Sequence, residues 1–456
     1  MPKRFESTNP HTGDLIETLA PMTAAALEQA LAAAADQAPA WAKQGISERC
    51  DLLRAVAKLL RERKSALARL MTLEMGKLIA EAEAEVEKCA LVCDYYADNA
   101  ESQLADTSVA SDASRSLIAY QPLGVLMAIM PWNFPFWQVF RCAAPALAAG
   151  NTLVLKHASN VPRCALTMEA LFRDAGAPPD VFQTLLIDAK TAEGVVADAR
   201  IRGVSLTGSE TAGRRVASIA GEHLKKTVLE LGGSDAFVVL EDADLELAVS
   251  TAVKARFMNA GQSCIAAKRF ILVETIADGF VDAFKAAIAA LNPGDPLEET
   301  TTLAPLARKD LREILHAQVE ASLGAGAALV TGGQALDGPG WHYAATLLDK
   351  VAPGMPAYAD ELFGPVASVI RAKNADAALE IANDSRFGLG GSVWTADKAR
   401  GEGFARQMAC GCAFVNGMVK SDPRLPFGGI KDSGYGRELG TPGIHEFVNA
   451  KTLWIG

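Results

Sequence analysis

Apolar residues recur at three- and four-residue spacing over residues 23–100, as in LLRAVAKLLRERKSALARLMTLEMG, with Ala, Leu and Glu dominating the composition. That period predicts a run of amphipathic helices. The pattern then changes: a polar stretch over residues 101–115 leads into the extended segment SLIAYQPLG and the short apolar run GVLMAIMP, closed by proline, which predicts a buried strand. Similar runs follow at NTLVLKHAS, VFQTLLI and RGVSLTGS, separated by helix-like segments such as VPRCALTMEALFRDAG. Strands alternating with helices predict a parallel sheet in a doubly wound α/β domain. A second alternating series begins after LELGG, with DAFVVL, the helical DLELAVSTAVKARFMNAG, RFILVE, GGSVWT and CAFVNG. It predicts a second α/β domain over residues 231–431. No internal repeat or low-complexity tract interrupts the series.

Composition narrows the class. With 456 residues, half of them hydrophobic, the chain exceeds one compact core and is expected to form two or three domains. The net charge of −10, with no dense Lys/Arg block, argues against nucleic acid and anionic membrane as partners. Small molecules and further copies of the chain are expected instead. The N-terminal MPKRFESTNPHTG has no apolar core after its basic residues, and no later apolar stretch reaches the length of a membrane span, so a cytoplasmic protein is expected. Its eight cysteines include no CxxC pair and join no His cluster, and no HExxH string is present; neither a structural disulfide nor a metal site is expected.

Four segments carry the candidate chemistry. Asn133 sits in MPWNFP, Glu230 in LELGG, Cys264 in FMNAGQSC and Glu361 in ELFGP. A cysteine in a chain of this type is most often a small buried hydrophobe, but Cys264 follows small and polar residues and pairs with an upstream carboxylate. An asparagine, an acid before two glycines and a cysteine after Gly-Gln-Ser, in that order, resemble the aldehyde dehydrogenase superfamily. The resemblance runs almost from end to end, from NPHTG through PWNFP, LELGG, GQSC, ELFGP and PFGG to SGYGRE.

The resemblance implies an NAD(P)-dependent oxidation of an aldehyde to a carboxylic acid. In that chemistry a thiolate adds to the carbonyl, because a flat carbonyl carbon releases hydride poorly; Cys264 is the expected nucleophile. Asn133 and the backbone N–H of Cys264 are the expected oxyanion donors. Glu230 is the expected base for thioester hydrolysis. It also favours release of a free acid, since coenzyme-A-acylating relatives tend to lack an acid here. Glu438, in GRE, resembles a supporting second acid. A member that kept the fold and lost the chemistry, serving as a binding or structural protein, is the alternative of a different class; retention of Cys264, Glu230 and Asn133 argues against it.

For the cofactor, NAD or NADP, GSETAG follows the strand RGVSLT and opens a helix, where backbone N–H groups and the helix N-terminus suit a pyrophosphate. Gly208 and Ser209 are thus expected to bind it, with Leu231 and Gly232 nearby. By resemblance, Lys156 binds the adenosine ribose, Glu361 the nicotinamide ribose, and Phe363 and Trp132 line the nicotinamide side. Relatives restricted to NAD often carry a glutamate three residues after this lysine; here the residue is Ser159, which leaves room for a 2′-phosphate.

For the substrate, Arg141 in FPFWQVFR stands where succinate semialdehyde dehydrogenases carry an arginine, whose planar fork suits a carboxylate. A second arginine of that group, six residues before the nucleophile, is Met258 here. Gln138, Ser421 and Arg424 are the expected compensating contacts, and Phe427 the expected funnel wall. The pattern looks like a shorter bacterial branch of succinate semialdehyde dehydrogenases, with glutarate semialdehyde or another small aldehyde as the alternative substrate. The implied architecture is two doubly wound Rossmann-like α/β domains plus a small β oligomerisation arm. Residues 1–100 and 123–230 are expected to bind dinucleotide, 231–431 to be catalytic, and 101–122 with 432–456 to form the arm of a homodimer or dimer of dimers.

Overall fold

The computed structural model describes residues 4–456, so the first three residues of the expected first domain lie outside the described residues. After an antiparallel pair of strands, Phe5–Thr8 and Leu15–Leu19, four helices follow at Ala24–Lys43, Ile46–Glu62, Lys64–Met75 and Ile79–Gln103. The first is capped by Thr23, whose hydroxyl accepts from the Ala26 N–H at 3.1 Å. The third ends at Gly76, φ +90, a left-handed stop that glycine adopts without a Cβ clash. The long fourth helix packs against the second through Val86, Cys89, Cys93 and Tyr96.

The first sheet runs in the order Gly434–Tyr435, Lys226–Glu230, Ile201–Thr207, Val125–Met130, Thr152–His157, Phe182–Thr184. All pairings are parallel except that of Gly434–Tyr435. Its central strands are nearly continuous apolar runs because helices cover both faces. From Val125–Met130 the chain moves outward to Phe182–Thr184 and then returns to Ile201–Thr207 on the other side. The strand order therefore reverses between Val125–Met130 and Ile201–Thr207, and the crevice beyond their carboxyl ends is where such sheets bind ligands. Residues 131–133, 158–159 and 208–209 follow these strand ends directly, and Glu230 is itself the last residue of its strand.

The second sheet has the order Ala328–Thr331, Thr346–Asp349, Val366–Ala372, Ala267–Val273, Asp235–Val239, Gly390–Trp394, Cys412–Val415. Only its first strand is antiparallel. Phe237, Phe270, Phe280, Phe284 and Trp394 pack ring on ring in its core.

A third, antiparallel sheet joins Val448–Ile455, Arg115–Pro122 and Thr107–Ser108. The expected arm segments divide differently from the sequence reading. Residues 101–103 complete the fourth helix, whose turns continue through the polar stretch. Gly434–Tyr435 instead lies against Lys226–Glu230, so close to the Leu229 carbonyl that a Cβ on Gly434 would collide with it. The helix Gly440–His445 packs on Ile79–Gln103 and on Trp137–Ala148. This detour brings Glu438 back to the first sheet. Among the described residues, no helix is long and apolar enough to cross a membrane.

Candidate active site

Cys264 stands at the end of a constrained turn. The helix Leu245–Phe257 passes into Met258–Gly261, where Asn259, Ala260 and Gly261 all have positive φ, at 55°, 52° and 72°. For a residue with a Cβ that conformation costs about 1–2 kcal/mol, so the surroundings must hold it. The Asn259 side-chain amide donates to Asn133 O at 2.8 Å and Gln262 O at 3.1 Å, while its backbone N–H donates to Glu81 Oε1 at 2.8 Å. Buried Arg256 donates to Gly261 O at 2.6 Å and Ala267 O at 3.0 Å. Lys268 Nζ donates to Ser263 O at 2.8 Å and Cys264 O at 2.9 Å. Asn259→Ala should therefore lower stability by roughly 1–3 kcal/mol and reduce turnover, both read from denaturant midpoints and steady-state rates; an unchanged midpoint would show that the turn holds itself.

The two glycines after Glu230 have a local cause. A Cβ on Gly233 would come within 2.6 Å of Cys264 O, and one on Gly232 within 2.7 Å of Glu361 Oε2. The pair therefore lets the Cys264 turn and Glu361 approach this strand end. Glu361 accepts from the Gly233 N–H at 3.1 Å and lies 3.4 Å from Lys268 Nζ.

Two cavities meet at Cys264, which borders both together with Gln138. One, of about 240 Å³, is walled by Phe134, Trp137, Arg141, Ser421 and Phe427. The other, of about 340 Å³, is bordered by Asn133, Gly208, Ser209, Leu231, Gly232 and Glu361, with Trp132 and Phe363 edge to face at 5.8 Å. Ser209 caps the helix Glu210–Glu222, so a helix N-terminus opens on this second cavity. One amide N–H of Asn133 donates to Gln262 O at 3.1 Å, and its Oδ1 has no partner among the described residues.

Behind these cavities lies a buried charge cluster. Both carboxylate oxygens of Glu230 are buried without a hydrogen bond, and burial, reinforced by Glu438 and opposed by Arg141, holds its pKa well above the usual carboxylate range. Glu438 accepts from Ser205 Oγ at 3.2 Å and pairs with the Arg141 guanidinium. Arg141 also donates Nη2 to Thr207 Oγ1 at 3.1 Å and lies 4.9 Å from the centre of the Phe427 ring. Burial pushes the Cys264 thiol up to about 12, while Arg141 and Lys268 pull it down.

The remaining expected residues are dispersed. Lys156, the penultimate residue of Thr152–His157, borders neither cavity, and burial lowers its pKa. Ser159 lies in a neighbouring cleft of about 250 Å³ with Asn160 and Arg308, and Arg308 also borders the second cavity. Arg424 borders neither cavity; it is exposed and forks onto Asp422 at 2.6 and 2.8 Å.

Several residues escaped the sequence reading. Asn259, Arg256 and Lys268 shape the nucleophile turn, and Lys88 reaches the first cavity, donating to Ser421 Oγ at 2.7 Å. A lysine within the apolar run AKRFILV was a usable signal for Lys268, since charges are seldom fully buried without partners. Glu81, Glu85 and Lys88 share one helix face by their spacing, yet such a face reads as solvated until its neighbours are known.

The chain's similarities agree with this geometry. The description "Aldehyde dehydrogenase family" matches residues 1–453. A Synechocystis protein described as a probable NADP(+) succinate-semialdehyde dehydrogenase is 53% identical, covering 98% of both chains. A Mycobacterium tuberculosis protein described as NADP(+) succinate-semialdehyde dehydrogenase 1 is 49% identical, again covering 98% of both. The crystal structure of succinic semialdehyde dehydrogenase from Streptococcus pyogenes in complex with NADP+ superposes with a TM-score of 0.97 at 39% identity, covering 99% of each chain. The chain belongs to the aldehyde dehydrogenase family.

Proposed function

We propose that this chain oxidises succinate semialdehyde to succinate with NADP. The observation that carries the reading is the position of Cys264 where the two cavities meet, one walled by apolar side chains with cations at its border and the other bordered by a helix N-terminus and Glu361. Among the relatives, those named for succinate semialdehyde and NADP(+) support the choice of substrate and cofactor.

The resting Cys264 is a neutral thiol, because burial pushes it to about 12. As the aldehyde carbon approaches, the sulfur adds to it and the thiol proton passes to solvent water in the cavity, with Arg141 and Lys268 favouring the thiolate. Asn133, whose amide already faces the Gln262 carbonyl, and the Cys264 backbone N–H donate to the forming alkoxide. A nicotinamide held in the second cavity by Trp132, Gly232, Glu361 and Phe363 would supply the hydride acceptor, so that the alkoxide on Cys264 becomes a thioester. Glu230 then takes a proton from the attacking water, its raised pKa making its carboxylate a stronger base than a solvated one. Arg141, which pairs with Glu438 beside it, favours the carboxylate form of Glu230 that accepts this proton.

The second cavity suits a dinucleotide phosphate. In the neighbouring cleft both side-chain polar atoms of Asn160 are buried without a partner beside Ser159 and Arg308, leaving donors for an anion. Ser159→Glu should shift preference toward NAD by about tenfold or more, the effect of placing one charge against a 2′-phosphate; an unchanged ratio of catalytic efficiencies would show that Ser159 faces away from it. The substrate assignment is tested by comparing succinate semialdehyde, glutarate semialdehyde and butanal with both nicotinamides. Succinate semialdehyde with NADP should give the highest kcat/KM, and a preference for butanal would overturn the assignment.

The third sheet supports assembly as a homodimer or dimer of dimers. Its outer strand Val448–Ile455 leaves Leu453, Trp454 and Ile455 exposed, an apolar edge of the kind a second copy covers. All eight cysteines are free thiols, as suits a reducing compartment such as the cytoplasm.

A further inference from the structure

The first cavity contains a cation that the mechanism above does not use. Lys88, on Ile79–Gln103, extends its ammonium to Ser421 Oγ at 2.7 Å and lies 4.2 Å from the centre of the Trp137 ring. No carboxylate among the described residues forms an ion pair with it.

The nearby acids are committed elsewhere. Glu85 pairs with Lys77 and accepts the Phe136 and Trp137 N–H groups at 2.8 and 2.9 Å. Glu81 accepts from the Asn259 N–H, and burial raises its pKa toward the neutral form. Asp422 is forked by Arg424. Arg141, the other strong cation at this cavity, is paired with Glu438. Unlike Arg141, Lys88 therefore has no counter-charge, and a desolvated ammonium in that state gains most from an anionic ligand.

Building on the semialdehyde reading, we propose that Lys88, braced by Ser421, binds the distal carboxylate of the substrate and supplies the second anchor absent at Met258. The three groups come from separate parts of the chain: Lys88 from the fourth helix, Arg141 from Trp137–Ala148, and Ser421 from the segment after Cys412–Val415. Arg141 Nη1 has no hydrogen-bond partner among the described residues and completes the grip, while the aldehyde end extends toward Cys264. A neutral aldehyde of the same length leaves Lys88 unpaired and so binds less well.

The site also responds to pH. Burial and Arg141 bring the Lys88 pKa down to about 8, while Glu85, Asp422 and the Cys89 thiol pull it the other way. Lys420, which also borders the cavity, is a further cation facing it. Lys88 is charged below that value and loses its proton as pH rises through it. KM for succinate semialdehyde should therefore rise above pH 8 in the wild type, and KM for butanal should stay level.

The test is the steady-state kinetics of the full-length enzyme and of Lys88→Met and Lys88→Arg with both aldehydes. Lys88→Met should raise KM for succinate semialdehyde by about tenfold to a hundredfold, the loss of one charge-assisted contact. Its kcat/KM for butanal should stay within about threefold of wild type, and Lys88→Arg should restore most of the loss and remove the rise in KM above pH 8. Equal losses on both aldehydes would make Lys88 structural and overturn the proposal. A wild type that prefers semialdehyde together with an unchanged KM in Lys88→Met would overturn the role of Lys88 alone. A wild type without that preference would overturn the substrate reading and the anchor together.

Discussion

Cys264→Ala is expected to lower kcat by at least about a thousandfold, because the covalent route that turns the carbonyl into a hydride donor disappears with the sulfur. Binding of NADP should persist. The second cavity is formed by Asn133, Gly208, Ser209, Glu361 and their neighbours, and Cys264 contributes only to its border. The turn should also survive, since Asn259, Arg256 and Lys268 hold it through backbone carbonyls that the substitution leaves in place. Equilibrium dialysis with NADP and a stopped-flow absorbance trace measure the two halves. Turnover within tenfold of wild type would remove Cys264 from the chemistry, and lost dinucleotide binding would mean that the sulfur shapes the cofactor cavity.

Glu230→Gln should separate the two halves of the reaction. Hydride transfer precedes hydrolysis, so the variant should form about one reduced cofactor per site and then stop, with steady turnover down about a hundredfold or more. The amide fits the site sterically, and it relieves the repulsion between two buried carboxyl groups that Glu438 imposes on Glu230. Rising pH should quicken steady turnover in the wild type, as the protonated Glu230 favoured by burial gives way to its carboxylate, and should not do so through this group in Glu230→Gln. A variant with neither burst nor turnover would place Glu230 at thiol activation instead.

The alternating apolar runs made both parallel sheets legible because helices cover their faces and leave continuous hydrophobic strands such as VLMAIM. Short edge pairings were not legible. Gly434–Tyr435 is two residues long and is set by tertiary contact with Leu229 rather than by any period, so the sequence reading assigned that segment to the arm. The motifs containing Asn133, Cys264 and Glu361 converge on the paired cavities as the strand ends require. Arg141 was legible as a buried-site cation but not as the partner of Glu438, since the two lie far apart in the chain and meet only through the returning C-terminal segment. Lys88 was hidden for the same reason. Its helix face looks solvated until Ser421 and Trp137 are packed against it.

The central claim is that Cys264 carries the acyl group and Glu230 releases it. Peptide mass mapping of Glu230→Gln, quenched in acid after mixing with succinate semialdehyde and NADP, tests it most directly. The account predicts one succinyl group per chain, on the peptide containing Cys264. A chain without an acyl adduct after a full burst, or an adduct on Cys410 or Cys412 instead, would contradict it.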